Sequence, residues 1–268
     1  MTYRERIEID PSVCGGRPVI RGKRIPVAAS VVLAGFIVGI VACASGQWSI
    51  AATPPPAPLQ TAGVAADVPN LYEAQRQVDE YIRSGRYDED VVKVTVAARA
   101  WLEERAKTAV KPAIVLDIDE TSLSNWPAYR VNGWARIVNG GCDLAQGPCG
   151  LRAWQALGQS QAIPATLALA RRARELGVAV FFISGRPASL RQATEHNLRE
   201  QGYEWTGLIL QPVGAHFASA VDFKAPERRK ITEQGYTIIL SLGDQESDLK
   251  GGYAERTFKL PNTVYYLP

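Results

Sequence analysis

The chain has 268 residues, 46% hydrophobic and 21% charged, which suits one large globular domain or two small ones. The formal net charge is +3, but residues 1–43 hold six Lys/Arg against three Asp/Glu, so the remainder is balanced. That balance argues against a nucleic-acid-binding surface, and the absence of any internal repeat argues against a solenoid or propeller.

Residues 1–26 form a leader, and Arg4 to Val27 reads RERIEIDPSVCGGRPVIRGKRIPV. This stretch resembles the opening of a small antitoxin-like domain family of unknown function. It is too short to bury a core of its own, so it is read as a leader without independent function. Residues 27–41 are an uncharged apolar run preceded by Arg21, Lys23 and Arg24, the pattern of a secretory signal. The run is short for a membrane-spanning helix, which needs roughly 20 apolar residues. It closes on Ile40-Val41-Ala42-Cys43-Ala44, which resembles the lipobox of bacterial lipoproteins. The resemblance implies cleavage before Cys43, lipid on its thiol, and a place on the periplasmic side of a bacterial membrane as an outer-membrane lipoprotein. An uncleaved anchor or a plain signal is the alternative.

Residues 44–66 are rich in Ala, Pro, Gly and Thr, a linker composition. A domain is expected from 67 to 268. Asp88-Glu89-Asp90 is expected to open a helix with an acidic N-cap, and Val91, Val94, Ala98, Trp101 and Leu102 follow at helical spacing. Apolar runs at 113–116, 178–183, 208–210 and 237–242 read as strands. Helices are expected at 164–176, 187–201 and 226–234, each opening on Pro and closing before or near Gly. Strands alternating with helices imply an α/β fold: a doubly wound parallel sheet with helices on both faces. Apolar runs without alternation fit strands buried on both sides. A small insert of about 122–163 follows the first strand. In it, Cys142 and Cys149 flank a Gly/Pro turn, which in an exported protein reads as a disulfide loop. Half of a zinc site is the competing reading, but the nearest histidine, His196, is far along the chain.

In doubly wound sheets ligands bind at the carboxyl ends of the strands. Those ends carry Asp117-Ile118-Asp119-Glu120-Thr121, then Ser184-Gly185-Arg186, then Gly243-Asp244-Gln245-Glu246-Ser247-Asp248, with Lys224 on the connection after the third strand. Each signal alone is weak, since Asp-x-Asp and Gly-Asp occur in ordinary surface turns. Acids, a hydroxyl and a cation gathered at one sheet edge in this order are a stronger signal.

Asp117-x-Asp119-x-Thr121, Ser184, Lys224 and Asp244 with Asp248 resemble the four motifs of the haloacid dehalogenase superfamily. Ile183-Ser184-Gly185-Arg186, Gly235-Tyr236, Gly243-Asp244-Gln245-x-x-Asp248-Leu249 and Phe258-Lys259-Leu260-Pro261-Asn262 with Tyr265-Tyr266 resemble its acid phosphatase branch. That branch holds plant acid phosphatases, vegetative storage proteins and bacterial lipoprotein acid phosphatases. The resemblance implies the Rossmann-like fold of that superfamily and hydrolysis of a small phosphomonoester. It implies Asp117 as nucleophile, Asp119 as acid and base, and Ser184 and Lys224 on the phosphoryl oxygens. Thr121, Gly185 and Arg186 are expected to bind substrate. Mg²⁺ is expected on the Asp117 and Asp244 carboxylates and the Asp119 backbone carbonyl, with Asp248 holding a metal-bound water.

Trp126, Tyr129, Trp134 and Trp154 are candidates to cover the site, with core packing as the alternative. His196 and His216 have no ligand-like neighbours and are expected to be structural or exposed. Phosphotransfer or 5'-nucleotidase activity could use the same residues, and a non-catalytic storage or binding protein could share the fold.

Overall fold

The computed structural model describes residues 69–267, together with two short strands nearer the N-terminus. The chain divides into two compact units, residues 1–63 and 64–268. In the first, β1 (Ile7–Glu8) and β2 (Val19–Ile20) pair antiparallel. The apolar run at 27–41, Cys43 and the linker lie outside the described residues. Among the described residues, no helix is long and apolar enough to cross a membrane.

The second unit opens with α1 (Leu71–Arg83), which the sequence reading did not anticipate. Its N-cap is Asn70, whose side chain accepts from the Glu73 N–H at 3.2 Å. Helix α2 (Arg86–Arg105) follows after Gly85, which supplies the left-handed turn at φ 82°. Asp88 and Glu89 therefore sit inside the first turn of α2, and neither is its cap.

A five-stranded parallel sheet forms the centre, in the order β7-β6-β3-β8-β9. These strands are β3 (Pro112–Leu116), β6 (Ala179–Pro187), β7 (Gly207–Gln211), β8 (Thr237–Gly243) and β9 (Thr257–Lys259). The chain starts in the middle at β3, runs outward through β6 and β7, then returns to the other side at β8. The crevice at that switch of direction is where such folds place ligands.

Side chains of β3 alternate between two cores. Ile114 and Leu116 join the larger one with Leu102 of α2, Leu169 of α5 (Pro164–Glu175) and Leu198 of α6 (Arg191–Glu200). Ala113 and Val115 join the smaller one with Phe223 and Ile231 of α7 (Ala220–Glu233). Both faces of the sheet are thus covered, which explains the unbroken apolar runs.

Helix α7 corrects an expectation. It begins six residues before Pro226, because Asp222 accepts from the Ser219 N–H at 2.9 Å and closes the N-terminus. Pro226 sits in the second turn, and Lys224 lies on the helix rather than on a loop.

The insert after β3 contains the β4 (Leu123–Ser124) and β5 (Gln161–Ala162) pair, α3 (Trp126–Val131) and α4 (Leu151–Leu157). Cys142 and Cys149 are joined as a disulfide within it.

Candidate active site

The turn after β3 is wound on one carbonyl. The N–H groups of Thr121, Ser122 and Leu123 donate to Ile118 O at 3.4, 2.8 and 2.8 Å. Glu120 takes φ 54°, a left-handed conformation that a non-glycine residue holds only under constraint. Its buried carboxylate supplies that constraint. It accepts from the Asn125 N–H at 2.6 Å and from the hydroxyls of Tyr129 and Tyr265 at 3.2 Å each. Burial, with the adjacent Asp119 charge, pushes the Glu120 pKa up to about 8. The result is that Asp117 and Asp119 both line one cavity of about 300 Å³, together with Ser184, Gly185, Lys224 and Asp248.

The two aspartates have opposite surroundings. Lys224 Nζ donates to Asp117 Oδ1 and to Asp248 Oδ1, at 2.5 Å each. Carboxylate oxygens of Asp117, Asp244 and Asp248 all lie within 4.8 Å of one another. Three buried acids therefore cluster about one ammonium, which bonds two of them. Burial first, and then Asp248, Asp244 and Asp119, push the Asp117 pKa well up against the pull of Lys224. Burial likewise opposes a charge on Lys224, but Asp117 and Asp248 outweigh it and raise its pKa.

Asp119, by contrast, has a cation to itself. Arg186 donates to it through Nη2 at 2.7 Å and Nε at 3.1 Å, with the arginine side chain fully buried. Asn125 Nδ2 donates at 2.7 Å and Gln155 Nε2 at 3.1 Å. Burial works against the Asp119 charge, but Arg186 and these donors overcome it and lower the pKa.

Asp244 accepts from Thr121 Oγ1 at 2.9 Å, Gln245 Nε2 at 2.7 Å and Asn262 Nδ2 at 2.7 Å. Burial and then Asp248 nonetheless raise its pKa to about 6. Asp248 packs directly on Gly243, where an added Cβ would stand 2.3 Å from Asp248 Cβ. No side chain other than hydrogen fits there, which accounts for glycine in the Gly243-Asp244 pair. Arg228 of α7 holds the same loop from behind, donating to Asp248 O at 2.7 Å and also to Lys250 O.

Two expected substrate contacts are placed elsewhere. Thr121 is fully buried and spends its hydroxyl on Asp244. Arg186 spends its guanidinium on Asp119 and does not line the cavity. Both act on carboxylates, and only Gly185 of that expected group faces the cavity. The four insert aromatics pack instead of covering the site. Tyr129, Trp134 and Trp154 are buried in the core with Trp126 against it, while Leu151, Phe217, Tyr265 and Leu267 line the cavity. His196 and His216 are exposed and neither lines the cavity, although His216 precedes Phe217, which does.

Asn125, Gln155 and Arg228 are not marked by the sequence, and Asn262 is marked only as part of the closing family motif, without its role on Asp244. Asn125 lies close enough to Asp119 to have been sought as a local partner, whereas Gln155, Arg228 and Asn262 reach the site only through the fold.

The family described as haloacid dehalogenase (HAD) superfamily, subfamily IIIB (acid phosphatase), matches residues 57–268. The chain belongs to that family. It is accordingly a phosphatase with the haloacid dehalogenase-like fold. Its relatives include the stem 28 kDa glycoprotein of Glycine max, 36% identical over 73% of this chain and 75% of that protein. Acid phosphatase 1 of Solanum lycopersicum is 34% identical over 57% of this chain and 58% of that protein. The class C acid phosphatase from Bacillus anthracis, solved with tungstate bound, superposes with a TM-score of 0.58 at 23% identity. That overlap covers 73% of this chain and 86% of that one, a likeness of fold. Residues 7–33 match a separate family, described as a protein of unknown function (DUF433).

Proposed function

We propose that this phosphatase hydrolyses phosphomonoesters through a phosphoryl group carried on Asp117, with Mg²⁺ as its cofactor. The observation that carries the reading is the division between the two aspartates. One is crowded by acids beside a lysine, and the other is neutralised by its own arginine, on one cavity wall.

Asp117 Oδ forms the bond to phosphorus as the ester oxygen leaves, splitting one difficult displacement into two. Lys224 and Ser184 hold the phosphoryl oxygens and balance their charge. Asp119 protonates the departing oxygen and later removes a proton from the attacking water. Arg186 keeps Asp119 ionised at rest, the state needed for the second step. The phosphoryl dianion entering beside it raises its pKa, which favours the proton needed for the first.

The donor set suits a hard divalent cation. Asp117, Asp244 and Asp248 offer only oxygen, and their combined charge exceeds what Lys224 balances. These residues, with the Asp119 carbonyl, would hold Mg²⁺, which when bound neutralises charge between nucleophile and phosphoryl group. Phosphate release from a panel of phosphomonoesters, measured with Mg²⁺ and after complete chelation, tests this reading. Activity should vanish on chelation and return with Mg²⁺; undiminished hydrolysis by the metal-free protein would refute the metal assignment.

The same proposal places residues 67–268 as the catalytic domain of an exported protein, held at a membrane by lipid on Cys43 through the 44–66 linker. A diacylglyceryl group plus an amide-linked chain exceeds the two signals that stable anchoring requires. Labelled fatty acid should enter the parent protein and not Cys43→Ala. A parent protein that takes up no label would rule lipidation out.

A further inference from the structure

Two arginines in the cavity have no part in the chemistry above. Arg136, from the insert, and Arg152, on α4, line the same cavity as Asp117 and Asp119. Neither makes a salt bridge among the described residues. Arg136 Nε is buried without any hydrogen-bond partner, and its guanidinium stands 5.1 Å from the centre of the Tyr265 ring. Arg152 makes one contact to a neutral side chain, donating through Nη1 to Gln155 Oε1 at 3.3 Å. Burial pulls the Arg152 pKa down; Asp119 opposes this, and the neighbouring Arg136 and Arg186 add to it. Two half-buried cations side by side, one with an orphaned N–H, are costly unless an anion completes them.

The phosphoryl group is not that anion, because Lys224 and Ser184 already stand at the nucleophile. We propose that Arg136 and Arg152 form a second anion subsite, so that the preferred substrates carry another anionic group, a carboxylate or a second phosphate, on the alcohol that leaves. This deepens the phosphatase reading and rests on it. Guanidinium forks match both anions with paired, charge-assisted hydrogen bonds. A cavity of about 300 Å³ leaves room for a short alcohol between the two anions.

The test uses the full chain with Mg²⁺ and three esters of equal chain length: propyl phosphate, the phosphate ester of hydroxypropanoate, and propanediol bisphosphate. The value of kcat/KM should be roughly 10- to 100-fold higher for one or both anionic esters than for propyl phosphate. Whichever anionic ester is favoured names the second group. Arg136→Gln and Arg152→Gln should each shrink that ratio, and the double variant should bring it near one. Propyl phosphate serves as the internal reference for folding and chemistry. Equal kcat/KM for all three esters in the parent protein would overturn the subsite. So would a loss in the arginine variants that falls equally on all three, since that would put the arginines on the phosphoryl group or in the fold. No phosphate from any ester, nor from an aryl phosphate, would overturn the hydrolase reading and the subsite with it.

Discussion

Asp117→Asn is expected to show no turnover above background, a fall of roughly 10⁴–10⁶-fold, as when other enzymes lose a nucleophile. The amide cannot displace the ester oxygen, and nothing else in the cavity stands in its place. Folding should survive the change. Asn keeps an oxygen for Lys224 Nζ, and Lys224 retains Asp248 at 2.5 Å. One of three crowded buried carboxylates has been made neutral, so the metal-free variant should melt no lower than the parent. Steady-state phosphate release and thermal melts without metal check both halves. Turnover near the parental rate would remove Asp117 from the mechanism.

Asp119→Asn should behave differently in both respects. It moves protons only, a contribution of roughly 10²–10⁴-fold. With alkyl phosphates the variant should be slowed by about that factor. With an activated aryl phosphate, whose leaving group needs little proton assistance, Asp117 should still be phosphorylated. Water attack then lacks its base, so the phosphoenzyme accumulates. Intact-protein mass spectrometry after a single burst should show one added phosphoryl group, and peptide mapping should put it on Asp117. An adduct on Ser184 would overturn the assignment. Stability should also fall, because the fully buried Arg186 loses its counter-charge. Leaving a buried cation unpaired costs at most about 3–5 kcal/mol, and the remaining amide oxygen offsets part of it. Of two acids separated by one residue, only Asp119 is thus expected to lower stability on neutralisation, which separates a crowded carboxylate from a paired one.

That contrast was not legible in Asp117-Ile118-Asp119. The spacing shows two acids at a strand end, and nothing local says which one meets Lys224 and which meets Arg186, 67 residues away from Asp119 in the chain. The strands themselves were legible. The run at 113–116 is apolar at every position and that at 237–242 at all but Thr237 and Ser241, the composition that strands covered on both faces require. The fifth strand, β9, was read only as part of a family signature, since three residues with one buried side chain, Phe258, carry no period. Helix α1 was missed because its capping residue, Asn70, follows a linker and its residues are largely exposed. Helix α7 starts before Pro226, the position a Pro-first pattern points to, because Ser219 and Asp222 supply the cap.

By itself, then, the sequence determined the parallel α/β sheet, the strand ends where chemistry gathers, and the identity of the acids, the hydroxyl and the lysine there. Local patterns suffice for these, because burial on two faces and the turn after a strand are written in neighbouring residues. Only the tertiary structure decided how those groups are charged and what surrounds them. It set Thr121 and Asn262 on Asp244, Gln155 on Asp119, and Leu267 with Arg136 and Arg152 around the cavity. These contacts join residues from different elements, such as Thr121 and Asp244, 123 positions apart. Their energies depend on distance and desolvation, which no single stretch of the chain encodes.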